Sequence, residues 1–274
     1  MTDLAAALEV ATATDPGMVR SHNEDSIAVE PAIGLAVLAD GMGGYNAGEV
    51  ASGIAVAMFA AEMRQALAQA QPHRTDEAGE PLAVKLIREH SAKANTAIYQ
   101  TAKSQPQYSG MGTTLAVALF FDNRVAVGHI GDSRLYRMRN GKLEQVTRDH
   151  SLLQEQIDSG MITREQARYS QNKNLVTRAV GIDPEVEIEV HTYAVERGDI
   201  YLLCSDGLSD MVTDEDIAET VGMLAANLPL AAKQLVQLAN DSGGRDNISV
   251  ILVRVADDFA VPSGWLARFK AWFR

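Results

Sequence analysis

The 274-residue chain is most informative first for what it is short of. It has one cysteine, Cys204, so no internal disulfide can form and a reducing compartment is the natural reading. It is short of positive charge: 24 Lys and Arg stand against 36 Asp and Glu, a net charge of −12 that argues against a basic nucleic-acid-binding surface. Aromatic residues make up only 5%, too few for a platform that stacks bases. No apolar run approaches the roughly 18 residues of a spanning helix. The opening stretch MTDLAAALEVATATDPG has neither the basic head nor the apolar core of a signal peptide, so a cytoplasmic location is expected. There is no GxxxxGK[ST] loop, which disfavours P-loop nucleotide chemistry, and the 6 histidines show no metal-ligand spacing.

What is present is a recurrence of apolar runs. Strands are predicted at 26–30, 33–39, 113–121, 124–130, 187–190, 200–204 and 248–255. Several are continuous in Val, Ile, Leu and Ala rather than alternating, as in strands buried on both faces. FFDNRVAVG, with Asp122-Asn123 at its centre, and MRNGKLEQV, with Asn140-Gly141, read as hairpins, which favours antiparallel pairing. Long helical patterns cover 47–70 and 82–103, joined by the polar loop QPHRTDEAGEP. Two shorter ones cover 213–221, with Thr213 as cap and three acids in the first turn, and 229–240. Paired helices between groups of hairpin strands imply a layered α+β domain. Residues 150–181 break the rhythm and read as an inserted helical flap.

Acids sit where the apolar runs meet loops. Asp40 closes LAVLAD and is followed by Gly41, Gly43 and Gly44; Asp132 follows VAVGHIG; Asp206 follows IYLLCS; Asp246 precedes NISVILV; Glu24 and Asp25 precede SIAV. One such carboxylate is an ordinary loop cap. Several converging on one cleft would repel each other unless a cation neutralised them. Carboxylates and backbone carbonyls, without Cys or His pairs, select hard cations such as Mg²⁺ or Mn²⁺ over Zn²⁺. Glycine after Asp40 would let a main-chain carbonyl approach an ion closely. Two such ions roughly 3.5–4 Å apart activate water and clamp a phosphate, and an arginine such as Arg20, four residues before Glu24, would match the phosphate oxygens bidentately.

RSHNEDS, LADGMGGYNAGEVAS, MGTTL, GHIGDSRLYR, VTRDHS, LVTRAVG, LLCSDGLSD and GGRDNISVILV occur in this order along nearly the whole chain. Together they resemble the metal-dependent PPM protein phosphatases, the type 2C serine/threonine class, in its compact bacterial form. The resemblance implies a four-layer αββα sandwich, two antiparallel sheets flanked by helix pairs, over residues 8–256, with the flap near 150–181 and a separate tail at 257–274. It implies that Asp40 bridges two Mn²⁺ or Mg²⁺ ions, that Glu24 and the Gly41 carbonyl complete one ion's shell, and that Asp206 and Asp246 complete the other's. Arg20 would grip the substrate phosphate, Asp25 would support ion-bound waters, and Asp132 with Asp206 would hold a weaker third ion. The implied reaction is in-line attack of an activated water on phosphoserine or phosphothreonine, with no covalent enzyme intermediate. Met42 stands where animal members carry a histidine proposed as general acid. Ser170-Gln171 replaces a His-Pro often found in the flap.

Two rival functions can be weighed from the residues. Thiolate-based phosphate chemistry needs an arginine loop after the cysteine, but Asp210 lies six residues beyond Cys204, so Cys204 reads as a buried strand residue. A catalytically silent module of the same fold, sensing phosphosites or metal, would be expected to have lost a metal acid, and none is lost. His129 reads as a satisfied core histidine and His150 as an anchor for the flap. The expected partners are phosphorylated proteins, above all a cognate Ser/Thr kinase and its substrates, and a monomer is expected. In the tail PSGWLARFKAWFR, Trp265, Leu266, Phe269, Trp272 and Phe273 share a helical arc of about 120° while Arg268, Lys270 and Arg274 lie off it. Residues 262–274 therefore read as a weak anchor for a partner groove or for an anionic membrane, which would place the protein peripherally at the inner membrane face. Full-length protein should co-sediment with anionic vesicles in a salt-sensitive way and protein truncated after Val261 should not; equal sedimentation of the two refutes the membrane anchor.

Overall fold

The structure, a computed structural model, describes residues 4–44, 46–167 and 175–261. Ser170-Gln171 and the 262–274 tail lie outside the described residues. A short helix α1 (Leu4–Ala7) leads into β1 (Leu8–Asp15). Next come β2 (Asp25–Glu30), β3 (Leu35–Met42), and the helices α2 (Ala47–Gln69) and α3 (Leu82–Ser104). Then follow β4 (Gly112–Thr113), β5 (Leu115–Phe121), β6 (Arg124–Ile130), β7 (Arg134–Arg139) and β8 (Lys142–Gln145). The flap contributes α4 (Leu152–Asp158) and α5 (Arg164–Ala167). The chain closes with β9 (Glu189–Ala194), β10 (Ile200–Cys204), α6 (Asp206–Ser209), α7 (Asp214–Met223), α8 (Leu228–Asp241) and β11 (Ile248–Val255).

The strands form two sheets. One runs β1-β11-β10-β7-β8; the other runs β2-β3-β5-β6-β9, with β4 pairing β3 off the path. Every pairing is antiparallel. Strand β3 shows why its apolar run is continuous. Leu35, Val37 and Ala39 face a core shared with α2 and α3, while Ala36 and Leu38 face the other sheet. In β10, Ile200, Leu202 and Cys204 pack toward α7 and α8, and Tyr201 and Leu203 pack between the sheets. A strand covered on both faces has no polar face to alternate with. The result is the four-layer αββα sandwich, its layers joined across the middle by contacts such as the edge-on pair of Phe120 and Tyr201, 5.3 Å between ring centres.

Both anticipated hairpins form. Asp122, Asn123 and Asn140 take positive φ (44°, 51° and 51°), the left-handed turn geometry that short polar side chains tolerate. Thr213 caps α7 as expected, its hydroxyl accepting from the Asp216 amide. The strands depart from the sequence reading in several places. β1 was not anticipated, because LEVATATD offers few large apolar side chains; full-length pairing with β11, from Leu8↔Val255 to Asp15↔Ile248, makes it a strand. β9 is shifted toward the C-terminus relative to 187–190. β3 continues through Asp40 and Gly41, which pair with Asp25 and Thr113. Beyond β11, Phe259 is buried between the sheets, and the Phe259 and Val261 amides donate to the side chains of Asn123 and Asp122, so the packed residues run on to Val261.

Candidate metal centre

The acids named above meet where the two sheets face each other at the ends of β3, β10 and β11. Asp40 is held from both sides of its strand. Its amide donates to Thr114 Oγ1 at 2.8 Å, and its carbonyl accepts from the Thr114 amide at 2.9 Å and from Thr113 Oγ1 at 2.8 Å. Thr114 breaks the ladder between β4 and β5 to make these bonds, so the predicted single strand at 113–121 is two. Across the pairing, Asp25 sits opposite Asp40. Its Oδ2 accepts from Ser205 Oγ at 2.8 Å, while its Oδ1 is buried with no hydrogen-bond partner. Asp206 opens α6 directly after β10, and its Oδ1 is likewise buried and unpartnered.

The backbone is packed to bring these groups together. A Cβ on Gly41 would lie 2.1 Å from the Gly48 carbonyl oxygen, and one on Gly48 would lie 2.9 Å from the Glu24 carboxyl carbon. Only glycine permits this crossing of β3, α2 and the Glu24 segment. The Gly41 amide donates to the Glu24 carbonyl at 3.1 Å. Asn247 straps the opposite wall: its Oδ1 accepts from the Glu24 amide at 2.7 Å, and its Nδ2 donates to the carbonyls of Pro16 and His22 at 3.0 and 2.8 Å. Next to it, Asp246 Oδ2 accepts from Arg20 at 2.8 Å. This ion pair is half exposed on the arginine side, and such pairs contribute only about 0–1 kcal/mol; Arg20 is oriented by Asp246 yet free to take another anion.

The electrostatics follow from burial of like charges. Burial first, then the fields of Asp25, Asp206, Asp132 and Asp246, push the Asp40 carboxyl well above the ordinary carboxylate range. Burial, Asp132, Asp210 and Asp246 do the same for Asp206. Burial pushes Asp25 and Asp132 up to about 7. Burial also raises Glu24, with Arg20 opposing it. Packed side by side, such groups are costly as anions and become favourable only with protons or cations between them. Orphaned buried carboxylate oxygens, a glycine-lined carbonyl and an all-oxygen donor set fit hard divalent ions. All the sequence-predicted residues therefore come together: Arg20, Glu24, Asp25, Asp40, Gly41, Asp206 and Asp246, with Asp132 adjoining through its field on Asp40 and Asp206.

Several supporting residues escaped sequence reasoning. Thr113, Thr114, Ser205 and Asn247 hold the acids through contacts between distant segments. Asp210 adds its field to Asp132 and Asp206, and its place in CSDGLSD was the one available signal. A second group, His129, His150 and Glu189, brings its ligand atoms within 4.8 Å of one another. Its hydrogen bonding describes a brace instead. The imidazoles stack at 4.6 Å and 13°, so their in-plane lone pairs do not converge. Gly131 N–H points at His150 Nδ1, leaving Nε2–H for Glu189, and His129 Nε2 meets the Arg148 carbonyl at 2.8 Å. The Thr177 amide donates to the His150 carbonyl, and backbone bridges join Ser151 to Val176 and Thr113 to Val180. His150 thus anchors both stems of the flap, and His129 is a satisfied core histidine. Cys204 is buried, with its thiol pushed up to about 12, unfit as a nucleophile.

An αββα sandwich with a carboxylate cluster between its sheets and an arginine at the rim is an arrangement suited to divalent cations and an anionic ligand. Comparison with known proteins names the family. A family model described as protein phosphatase 2C matches residues 19–240, and the chain belongs to this family. It is 40% identical over 257 residues to the serine/threonine protein phosphatase PstP of Mycobacterium tuberculosis, covering 94% of this chain and 47% of that protein. The chain thus spans about half the length of that relative. It is 37% identical to the serine/threonine phosphatase stp of Listeria monocytogenes, covering 88% of this chain and 93% of that one. The solved catalytic domain of PstP in complex with two manganese ions superposes with a TM-score of 0.79 at 40% identity, covering 91% of this chain and 99% of that one.

The charge cluster makes a pH prediction. Asp25 and Asp132, with folded values near 7, bind more protons folded than unfolded, where an aspartate titrates near about 3.9. Their contribution to metal-free stability is therefore present at the low end of this window and lost as pH rises toward 7. In thermal melts, the gain in Tm on saturating EDTA-stripped protein with Mn²⁺ should widen as pH rises through the window. A gain that shrinks with rising pH would contradict the buried-charge account.

Proposed function

We propose that this chain is a protein serine/threonine phosphatase that hydrolyses phosphoserine and phosphothreonine on proteins with the help of two Mn²⁺ or Mg²⁺ ions. The observation that carries this is the gathering of Glu24, Asp40, Asp206 and Asp246 around buried, unpartnered carboxylate oxygens, with Arg20 at the rim. Asp40 would serve both ions, Glu24 and the Gly41 carbonyl one of them, and Asp206 and Asp246 the other; Asp132 and Asp206 would take a weaker third. Bound there, the ions would supply Lewis acidity toward the phosphate and toward an attacking water.

The remaining work falls to the chain itself. Arg20, half exposed and already aligned by Asp246, offers its guanidinium fork to two phosphate oxygens and fixes the phosphorus beside the acids. Asp25 has one oxygen engaged by Ser205 and one unpartnered. Its raised affinity for protons lets it orient water and hold a proton at Oδ1 near the reacting groups. Asp40 is immobilised by Thr113 and Thr114, so the charge shared at the centre does not drift with the loop that follows it. Met42, half-buried at the end of β3, has no group to protonate a leaving oxygen; the proton for the departing serine or threonine comes from water.

The partners we propose are phosphorylated proteins, among them a cognate Ser/Thr kinase and that kinase's substrates. Phosphatase names among the relatives support the first, and analogy alone the second. We propose a monomer in the cytoplasm, with the 262–274 segment as the part that meets a membrane or partner. No described helix is long and apolar enough to cross a membrane.

Hydrolysis of para-nitrophenyl phosphate by the Mn²⁺-loaded protein tests the activity. EDTA should abolish turnover. Asp40→Asn should lower it by about a hundredfold or more, and should also raise the Tm of metal-free protein, since it removes a buried like charge. Turnover that survives EDTA, or is undiminished in the variant, refutes the two-ion assignment.

A further inference from the structure

The loop joining β1 to β2, PGMVRSHNE, presents two large apolar side chains to solvent immediately before the rim arginine. Met18 is 71% exposed and Val19 68%, two of the seven large apolar side chains that stand exposed among the described residues. Single exposed apolar residues are common and need no purpose. These two differ in how firmly the backbone beneath them is held. The Met18 amide donates to the Gly244 carbonyl at 2.7 Å, and the Gly17 amide donates to Asp15 Oδ1 at 2.9 Å. Asn247 ties down the carbonyls of Pro16 and His22 on either side. Gly17 has φ +80°, and a Cβ there would lie 2.3 Å from the Asp246 carbonyl oxygen. The loop is therefore packed against the same segment that carries Asp246, the partner of Arg20. Apolar side chains on a frame this fixed are presented rather than loosely draped, and a preordered surface binds without a further ordering cost.

We infer that Met18 and Val19 form an apolar ledge that receives the side chains next to the phosphorylated residue of a protein substrate. The inference rests on the phosphatase reading above and adds a substrate class to it: phosphosites flanked by apolar residues. With the phosphate on Arg20, residues one to three positions away along an extended substrate lie within about 3–11 Å of it, the reach of the two positions preceding Arg20. The ledge touches the flanking residues and not the phosphoryl group, so it acts on peptide recognition and leaves small substrates alone.

The test compares two phosphothreonine peptides that differ only in the residues flanking the phosphothreonine, Leu and Val in one and Ser in the other, with para-nitrophenyl phosphate as the small substrate. Wild type should favour the apolar peptide. The double variant Met18→Ser/Val19→Ser should lose about tenfold in kcat/KM on that peptide, mainly through KM, the effect of losing apolar contacts in a recognition site. It should keep its turnover of para-nitrophenyl phosphate and lose the preference. The conservative variant Met18→Leu/Val19→Ile should retain the preference. Equal kcat/KM on the two peptides in wild type, or an undiminished preference in the serine variant, overturns the ledge while leaving the phosphatase reading intact. A wild-type protein inert toward para-nitrophenyl phosphate with Mn²⁺ would instead overturn the parent reading and the ledge with it.

Discussion

Buried carboxylates that repel one another are the constraint around which this molecule is arranged. Asp25, Asp40, Asp132 and Asp206 are each shifted toward holding a proton because burial strips their water and their neighbours carry the same sign. A fold with only a few kcal/mol of net stability does not gather such groups for its own sake. They lower the stability of the metal-free chain and become favourable when cations lie among them, so the cluster is at once a liability of the fold and its candidate metal site.

Two rigid sheets make this concentration possible. Strands covered on both faces leave β3 and β10 no freedom to slide without exposing a core face, so the residues at their ends are set with the accuracy of the core. Local contacts finish the task. Thr114 grips the Asp40 backbone, Gly41 and Gly48 let strand, helix and Glu24 cross at backbone contact, and Asn247 ties the segment bearing Arg20 and Glu24 to the end of β11. Arg20, at the rim, is left half exposed and held only by its pair with Asp246, as the proposed exchange of that partner for a phosphate requires.

Much of this was legible in the chain. Continuous apolar runs announced doubly covered strands, Asp122-Asn123 and Asn140-Gly141 announced hairpins, and acids beside glycines at the ends of those runs announced a hard-cation site. The layer order did not come from periodicity, which ended at a layered α+β domain; the ordered motifs supplied the sandwich. β1 stayed hidden because its Ala and Thr residues form a strand only through their partner, β11. The strand was read as ending at Ala39 because nothing local shows that Asp25 and Thr113 extend the ladder past it. Asn247, Thr114 and Ser205 were missed for the same reason. Their partners Glu24, Asp40 and Asp25 lie 223, 74 and 180 residues away, and no window along the sequence joins them.

The central claim is that the acids act as one site shared by two cations rather than as separate surface charges. Electron paramagnetic resonance of the protein loaded with two equivalents of Mn²⁺ addresses it directly. The account predicts a broadened, spin-coupled spectrum from a close pair of ions bridged through Asp40, lost in Asp40→Asn. The sharp hyperfine lines of isolated Mn²⁺ at both equivalents, unchanged by that substitution, would contradict it.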